Sequence, residues 1–209
     1  MTCCWSWSSH SRPWAACHTR AVTRIIAGVA GGRRLLVPPK GTRPTSDRVR
    51  EALFSALEND PGLAGAAVLD LCAGSGALGL EALSRGAAHA LFVESDRRAA
   101  GVLRRNVEQL GLPGATVVAA SAGSVLAGPA ARTYDLVLAD PPYDVPDAEV
   151  AAWLAAAEAH GWLAEDAVVV VERAGRGGAF PWPASLQAVR ERRYGDTTLH
   201  TALRYGPAL

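Results

Sequence analysis

A chain of 209 residues, 49% hydrophobic and 20% charged, can bury one sizeable core and is too apolar for a disordered polymer. No apolar run approaches the ~18 residues that span a bilayer, and the longest, "AVVVV" at 167–171, has the length of a buried strand. A net charge of +1 argues against a polyanion partner for the chain as a whole, but residues 24–50 hold seven basic residues against the single acid Asp47, a net of +6. The first 23 residues add +2 and the remainder carries −7. A basic segment on an acidic body marks a nucleic-acid-contacting stretch, and its plainer reading is a solvated surface.

The first 22 residues hold three of the six tryptophans and follow neither helical nor strand periodicity. They lack the charged start and long apolar run of a signal peptide. They read as a disordered tail, or as a mis-called start with Val22 as the initiator. Three of the four cysteines (Cys3, Cys4, Cys17) crowd there and Cys72 stands apart, which is no disulfide framework and points to a reducing, cytoplasmic setting. With His10 and His18 they fit none of the usual zinc spacings, so no metal is expected.

"RIIAGVAGGRRLLVP" gives two strand-like runs around Gly31-Gly32, a hairpin signal. The linker "PPKGTRPT" follows. Ser46 or Asp47 then caps a helix to about Glu58 with Val49, Leu53 and Leu57 on one face. From "AAVLDL" onward strands and helices alternate: "GALGLEALSRG" helix, "HALFVES" strand, "DRRAAGVLRRNVEQLG" helix ending at Gly111, "ATVVAAS" strand, "AGSVLAG" short helix, "YDLVLAD" strand, "DAEVAAWLAAAEAHG" helix, "AVVVVE" strand. "LQAVRERRYG" and "TTLHTALRY" close the chain as a hairpin around Gly195-Asp196. The pattern predicts an α/β fold, a mostly parallel seven-stranded sheet with helices on both faces, an antiparallel edge and an N-terminal hairpin extension. The chain divides into the tail, a hairpin-and-helix segment over 23–60 and a main domain over 61–209. Ligands of such sheets bind beyond the carboxyl ends of the strands.

"DLCAGSGALG" follows the first main strand, with Gly74, Gly76 and Gly79 in G-x-G-x-x-G spacing. Glycines there let the backbone turn tightly and approach a ligand. Glu94 ends the next strand, where a carboxylate can accept both ribose hydroxyls of an adenosine. A dinucleotide is the obvious ligand, and a plain strand-to-helix turn is the bland one. Asp70 argues against the dinucleotide, because a carboxylate before the glycines repels a pyrophosphate. It suits the ammonium of S-adenosylmethionine, which has a cationic sulfonium, a ribose and no phosphate. Asp70 is expected at the methionine end and Ala73, Gly74, Ser75 and Gly76 along the ligand. Glu94 falls on the ribose, with Ser121 and Ala122 beside the adenine.

"ADPPYD" after "YDLVL" closes a buried strand with a carboxylate, two prolines and a ring. An exocyclic amine on a nucleobase is a poor nucleophile, because its lone pair is delocalised. Two acceptors on its N–H groups, the Asp140 carboxylate and the Pro141 carbonyl, favour a pyramidal nitrogen. Consecutive prolines stiffen the carbonyl's direction, and Tyr143 offers a stacking face worth roughly 1–3 kcal/mol per base. Asp140 also borders the cofactor. The rest is alignment, with reacting atoms about 3–3.5 Å apart.

Together, "RIIAG", "RPTSDRVREALFSAL", "LDLCAGSGALGLEALSRGA", "VESD" and "ADPPY" resemble the bacterial small-subunit ribosomal RNA guanine-N2 methyltransferases of the RsmD type, from about Arg24 to Tyr205. The resemblance implies a class I, Rossmann-like methyltransferase that uses S-adenosylmethionine and acts on one guanine of 16S rRNA within an assembling small subunit. The hairpin and "RPTSDRVRE" then contact RNA, with Arg24, Arg33, Arg34, Lys40, Arg43 and Arg48 as the basic contacts. A monomer is expected. The tail before Thr23 has no counterpart in the family pattern, and Ser121 stands where Asn or Asp is usual. The competing readings are an amino-methyltransferase for another RNA or DNA base and a non-catalytic RNA-binding assembly factor.

Overall fold

The computed structural model describes residues 23–38, 46–59, 62–175 and 177–205. The tail predicted over 1–22, and Lys40 and Arg43, lie outside them. Two short strands, β1 (Thr23–Arg24) and β2 (Arg34–Leu35), pair antiparallel. Helix α1 (Asp47–Asn59) follows. Then come β3 (Ala67–Leu71), α2 (Ala77–Ser84), β4 (His89–Val93), α3 (Arg97–Leu110), β5 (Ala115–Val118), α4 (Ala122–Leu126), β6 (Tyr134–Ala139), α5 (Asp147–Ala159) and β7 (Leu163–Ala174). The hairpin of β8 (Leu186–Tyr194) and β9 (Thr197–Arg204) ends the fold.

The seven-stranded sheet runs β5-β4-β3-β6-β7-β9-β8. The first five strands pair in parallel, and β9 inserts between β7 and β8, antiparallel to both. Strand order reverses between β3 and β6, so their carboxyl ends open the crevice where such sheets bind ligands. Strand alternation sorts the core into two layers. Val68, Phe92, Leu138 and Val170 face α1, α2 and α3, and Leu69, Val93, Val137 and Val171 face α4 and α5. The 23–60 segment joins the first layer through Ile25, Leu35, Val49 and Phe54. No helix among the described residues is long and apolar enough to cross a membrane.

The local signals account for the elements. Ser46 Oγ accepts from Val49 N at the start of α1, Asp96 caps α3 through Arg98 N and Ala99 N, and Gly111 closes α3 at φ 63°. The hairpin departs from expectation. Its runs do not pair as strands beyond two residues each, because their backbone donors find partners elsewhere. Ile26 N and Ala27 N donate to the two carboxylate oxygens of Glu81 in α2, at 2.6 and 3.0 Å. Ala30 N donates to Ser84 Oγ and Val29 N to the Ser84 carbonyl. β7 is also longer than "AVVVVE", since its far end pairs with β9 from Val168 to Ala174.

Glu81 is fully buried in a helix whose eight residues are all buried, and its carboxylate also takes the Arg85 guanidinium at 2.7 Å. Removing it leaves two backbone donors without their acceptor and the Arg85 guanidinium with Glu58, at 2.9 Å, as its remaining carboxylate. Glu81→Ala is expected to cost about 3–5 kcal/mol in urea unfolding and to speed amide exchange at Ile26 and Ala27. A loss under about 1 kcal/mol would show that the carboxylate does not anchor the arm.

Candidate active site at the carboxyl ends of β3, β4 and β6

The turn after β3 is built by two carboxylates. Glu94, at the end of β4, accepts from Gly74 N through Oε2 and from Asp96 N through Oε1, each at 2.7 Å. Asp70 Oδ2 accepts from Gly79 N in the first turn of α2, at 2.9 Å. Ala73 N donates to the Val93 carbonyl, and Ser75 contributes its carbonyl to Asn106 Nδ2 at 2.8 Å. Gly76 then opens α2 at φ 81°. A Cβ on Gly79 would lie 2.4 Å from Phe92 Cε1, so this glycine sets how closely α2 packs on β4. A Cβ on Gly74 would meet nothing within 4 Å, so this turn presents bare backbone to open space.

Three acids lie near Cys72, at the start of that turn. Burial pushes the Cys72 thiol up to about 12, and the negative charges of Glu94, Asp140 and Asp70 push the same way. These causes disfavour the thiolate, against the opposing charge of Arg173, and mark the surroundings as acidic. Asp70 is 1% exposed, and its Oδ1 has no hydrogen-bond partner among the described residues. Burial raises its carboxyl to about 7, opposed by the Gly79 hydrogen bond and aided by Glu94. A buried carboxylate oxygen lacking a donor, beside bare glycine backbone and further acids, fits a cationic amine and opposes a pyrophosphate. S-adenosylmethionine meets that chemistry. The lone pairs that Glu94 has left can still accept ribose hydroxyls. Among the described residues no cluster of His, Cys, Asp and Glu is arranged to hold a metal.

Asp140 follows β6, and its N–H donates to the Leu71 carbonyl at 3.3 Å, next to the turn. Pro141 is buried and Pro142 exposed. The Pro142 carbonyl takes Val145 N at 3.0 Å and Arg173 Nη1 at 3.4 Å. Tyr143 is 54% exposed, with its hydroxyl 3.4 Å from Thr197 Oγ1. Arg173 and Thr197 were not legible as site residues. The available signal was "ER" closing the apolar run of β7, two charges at the carboxyl edge of a buried strand.

Ser121 caps α4, its Oγ accepting from Ser124 N at 3.2 Å. Ala122 is 4% exposed with its side chain in the core, which leaves its backbone as the part able to meet a ligand. Of the basic residues, Arg24, Arg33, Arg34 and Arg48 are exposed. Arg24 is 3.4 Å from Asp47. Arg33 donates to the Gln109 and Leu110 carbonyls, where a cation favours the carboxyl end of α3. Arg50, counted in the basic stretch, is fully buried and holds Thr23 Oγ1, the Arg24 carbonyl and Asp47. A separate cavity of about 330 Å³ lies between α1 and the β7-β9-β8 face, and none of the predicted site residues lines it.

Comparison with known proteins bears on the family and the fold. The profile of the family described as Conserved hypothetical protein 95 matches residues 23–203. The chain is 43% identical over 174 residues to ribosomal RNA small subunit methyltransferase D of Escherichia coli strain K12, spanning 83% of this chain and 85% of that one. The solved structure of the E. coli protein yhhF aligns with a TM-score of 0.77 at 39% identity, covering 88% of this chain and 98% of that one. Magnesium protoporphyrin IX methyltransferase of Synechocystis PCC 6803, solved with S-adenosylmethionine bound, shares the fold. Its TM-score is 0.57 at 16% identity, over 78% of this chain and 86% of that one.

Asp70 generates a pH test. Its folded-state carboxyl sits near 7 against 3.8 in a free chain, so the fold favours the protonated form. This contribution to stability is complete below about pH 4 and is lost as pH rises through about 7. Asp70→Asn keeps an acceptor for Gly79 N and cannot ionise, so its urea midpoint is expected to decline less between pH 4.5 and pH 8. Parallel curves for the two proteins would show that Asp70 does not titrate in that window.

Proposed function

The chain belongs to the RsmD family of small-subunit ribosomal RNA methyltransferases, and we propose that it methylates the exocyclic N2 amine of a guanine in 16S rRNA, on the small subunit or its precursor. The observation that carries the reading is the meeting of an acidic, glycine-floored crevice with the Asp-Pro-Pro-Tyr loop at the β3/β6 switch point. The cofactor, S-adenosylmethionine, supplies a methyl group on a positively charged sulfur. The rest falls to the chain's own groups.

Asp70 Oδ1 takes the ammonium, which also returns that carboxyl to its charged form. Glu94 takes the ribose hydroxyls, with the Gly74 backbone beneath the ligand and Ser121 and Ala122 at the adenine. The Asp140 carboxylate and the Pro141 carbonyl accept from the two N–H groups of the guanine amine. They hold its nitrogen with the lone pair toward the methyl carbon. Tyr143 stacks on the base. Positioning of this kind lowers the barrier by removing the freedom of the two reactants before they meet.

RNA attraction falls to the basic arm, where Arg24, Arg33, Arg34 and Arg48 are all exposed; Arg24 lies beside Asp47 and Arg33 on the carbonyls ending α3, which leaves Arg34 and Arg48 for RNA, with Lys40 and Arg43 near them in sequence. Arg33 is engaged with α3. Charge-removing changes therefore separate by role. Arg34→Ala and Arg48→Ala are expected to flatten the salt dependence of RNA binding, by about 0.7 in log–log slope for each phosphate no longer neutralised. Arg33→Ala is expected to lower thermal stability instead. An unchanged slope in the Arg34/Arg48 double variant would remove those residues from the interface.

The reaction is tested with radiolabelled S-adenosylmethionine, small subunits, their precursors and bare 16S rRNA from a strain lacking the gene, followed by nucleoside analysis. Label is expected in N2-methylguanosine, and Asp140→Ala is expected to abolish it while cofactor binding persists. Label in another nucleoside would overturn the assignment of the acceptor, and wild-type turnover by Asp140→Ala would overturn its role.

A further inference from the structure

Residues 172 and 173 are neighbours in β7, so their side chains leave opposite faces of the sheet. Arg173 bonds the loop from β6 to α5 directly, and Glu172 holds the Thr197 hydroxyl that meets Tyr143 of the same loop. On the α5 side, the buried Arg173 guanidinium makes three bonds. Nε donates to Asp147 Oδ1 and Nη2 to the Val145 carbonyl, each at 2.6 Å, and Nη1 donates to the Pro142 carbonyl at 3.4 Å. On the other side, Thr197 Oγ1 donates to Glu172 Oε1 at 3.3 Å. A threonine hydroxyl has one hydrogen, so with it on Glu172 the oxygen accepts from the Tyr143 hydroxyl, 3.4 Å away. Thr197 opens β9 and pairs with Ala174, directly beyond Arg173. The loop from β6 to α5 is thus held astride the end of β7, its backbone from one face and its ring from the other.

We propose that Arg173 and Thr197 are positioning residues for the acceptor base, a reading that rests on the function proposed above. Arg173 fixes the carbonyls at Pro142 and Val145 and ties them to the first turn of α5. With the two prolines rigid, this sets the direction of the preceding Pro141 carbonyl and of Asp140. Three donors in one plane, aimed at three separate oxygens, are a task for guanidinium that an ammonium cannot reproduce. Thr197 fixes the ring of the exposed Tyr143 at the angle where a base would stack. Neither residue touches the base or the cofactor.

The test joins kinetics on small subunits to measurements on the free protein. Arg173→Lys is expected to lower kcat by about 10²-fold, the penalty of misplacing a reacting group by about 1 Å, with the dissociation constant for S-adenosylmethionine unchanged within about twofold. Amide exchange at Val145 and Asp147 in the free protein is expected to accelerate. Thr197→Val, Tyr143→Phe and their combination form a cycle. If Thr197 acts through the Tyr143 hydroxyl, the double variant is no slower than Tyr143→Phe alone, with cofactor affinity again constant. Wild-type kcat in Arg173→Lys, or unchanged exchange at Val145 and Asp147, overturns the role of Arg173. Additive losses in the cycle overturn that of Thr197. If Arg173→Lys does not fold, the cycle decides. Nucleoside analysis of the wild-type product keeps the readings apart: methyl on another atom sinks the guanine-N2 assignment, while exchange and cycle still report on the two residues.

Discussion

The fold's ability to present a ligand site depends on carboxylates that hold backbone. Asp70 and Glu94 stand at the carboxyl ends of adjacent parallel strands, and each grips an N–H of the segment that leaves β3. A glycine turn without side chains has nothing of its own to fix its path. Here the path is fixed by acceptors on the strands below, and charge-assisted bonds to backbone N–H groups are among the stronger ones a protein makes. The same two residues make the turn electronegative. Scaffold and ligand selectivity therefore fall to the same two side chains, one carboxylate oxygen holding backbone while the group's charge faces the ligand.

A second joint ties the basic arm to that turn. Asn106 in α3 is fully buried and uses its amide on both sides. Its Oδ1 accepts from Leu36 N, while Nδ2 donates to the Leu36 and Ser75 carbonyls. Arg33 and Gln109 add contacts from the arm to the last turn of α3. The arm is thus no separate module resting on the sheet. Its backbone, the α2 helix through Glu81 and Ser84, and the cofactor turn form one hydrogen-bonded body, and the core residues of α1 and the hairpin belong to the same layer as those of α2 and α3.

Legibility in the sequence followed the range of the interaction. The strand–helix alternation, the caps Asp96 and Gly111 and the glycine spacing are local. Each is set by neighbours a few residues away, and the structure has the alternation, the Ser46 cap and Gly111 where periodicity and cap chemistry put them, while Asp96, expected inside α3, caps it. The RsmD motifs extended this reach, since a resemblance carries long-range geometry with it. What escaped was nonlocal. A charge count cannot separate Arg48, which faces solvent, from Arg33, which meets carbonyls 76 and 77 residues onward, or from Arg50, which is wholly buried. The alternation in "RIIAGVAGG" promised long strands, and only Glu81, some 55 residues away, explains why the donors at Ile26 and Ala27 turn aside. Arg173 lies 31 residues from the proline whose carbonyl it holds.

The charge asymmetry then acquires a physical sense. An acidic crevice attracts a cationic donor and repels phosphates, so a polynucleotide has no electrostatic reason to enter it by its backbone. A neutral base does, provided the phosphates on either side are held elsewhere. On the proposed function that hold falls to the exposed Arg34 and Arg48 of the basic stretch. At about 8 Å of screening length in physiological salt the two fields are distinct when separated by more than one nucleotide's reach. On the proposed function, the division of charge along the chain is the device that presents one base edge-on to the loop while keeping its backbone away from Asp70, Glu94 and Asp140.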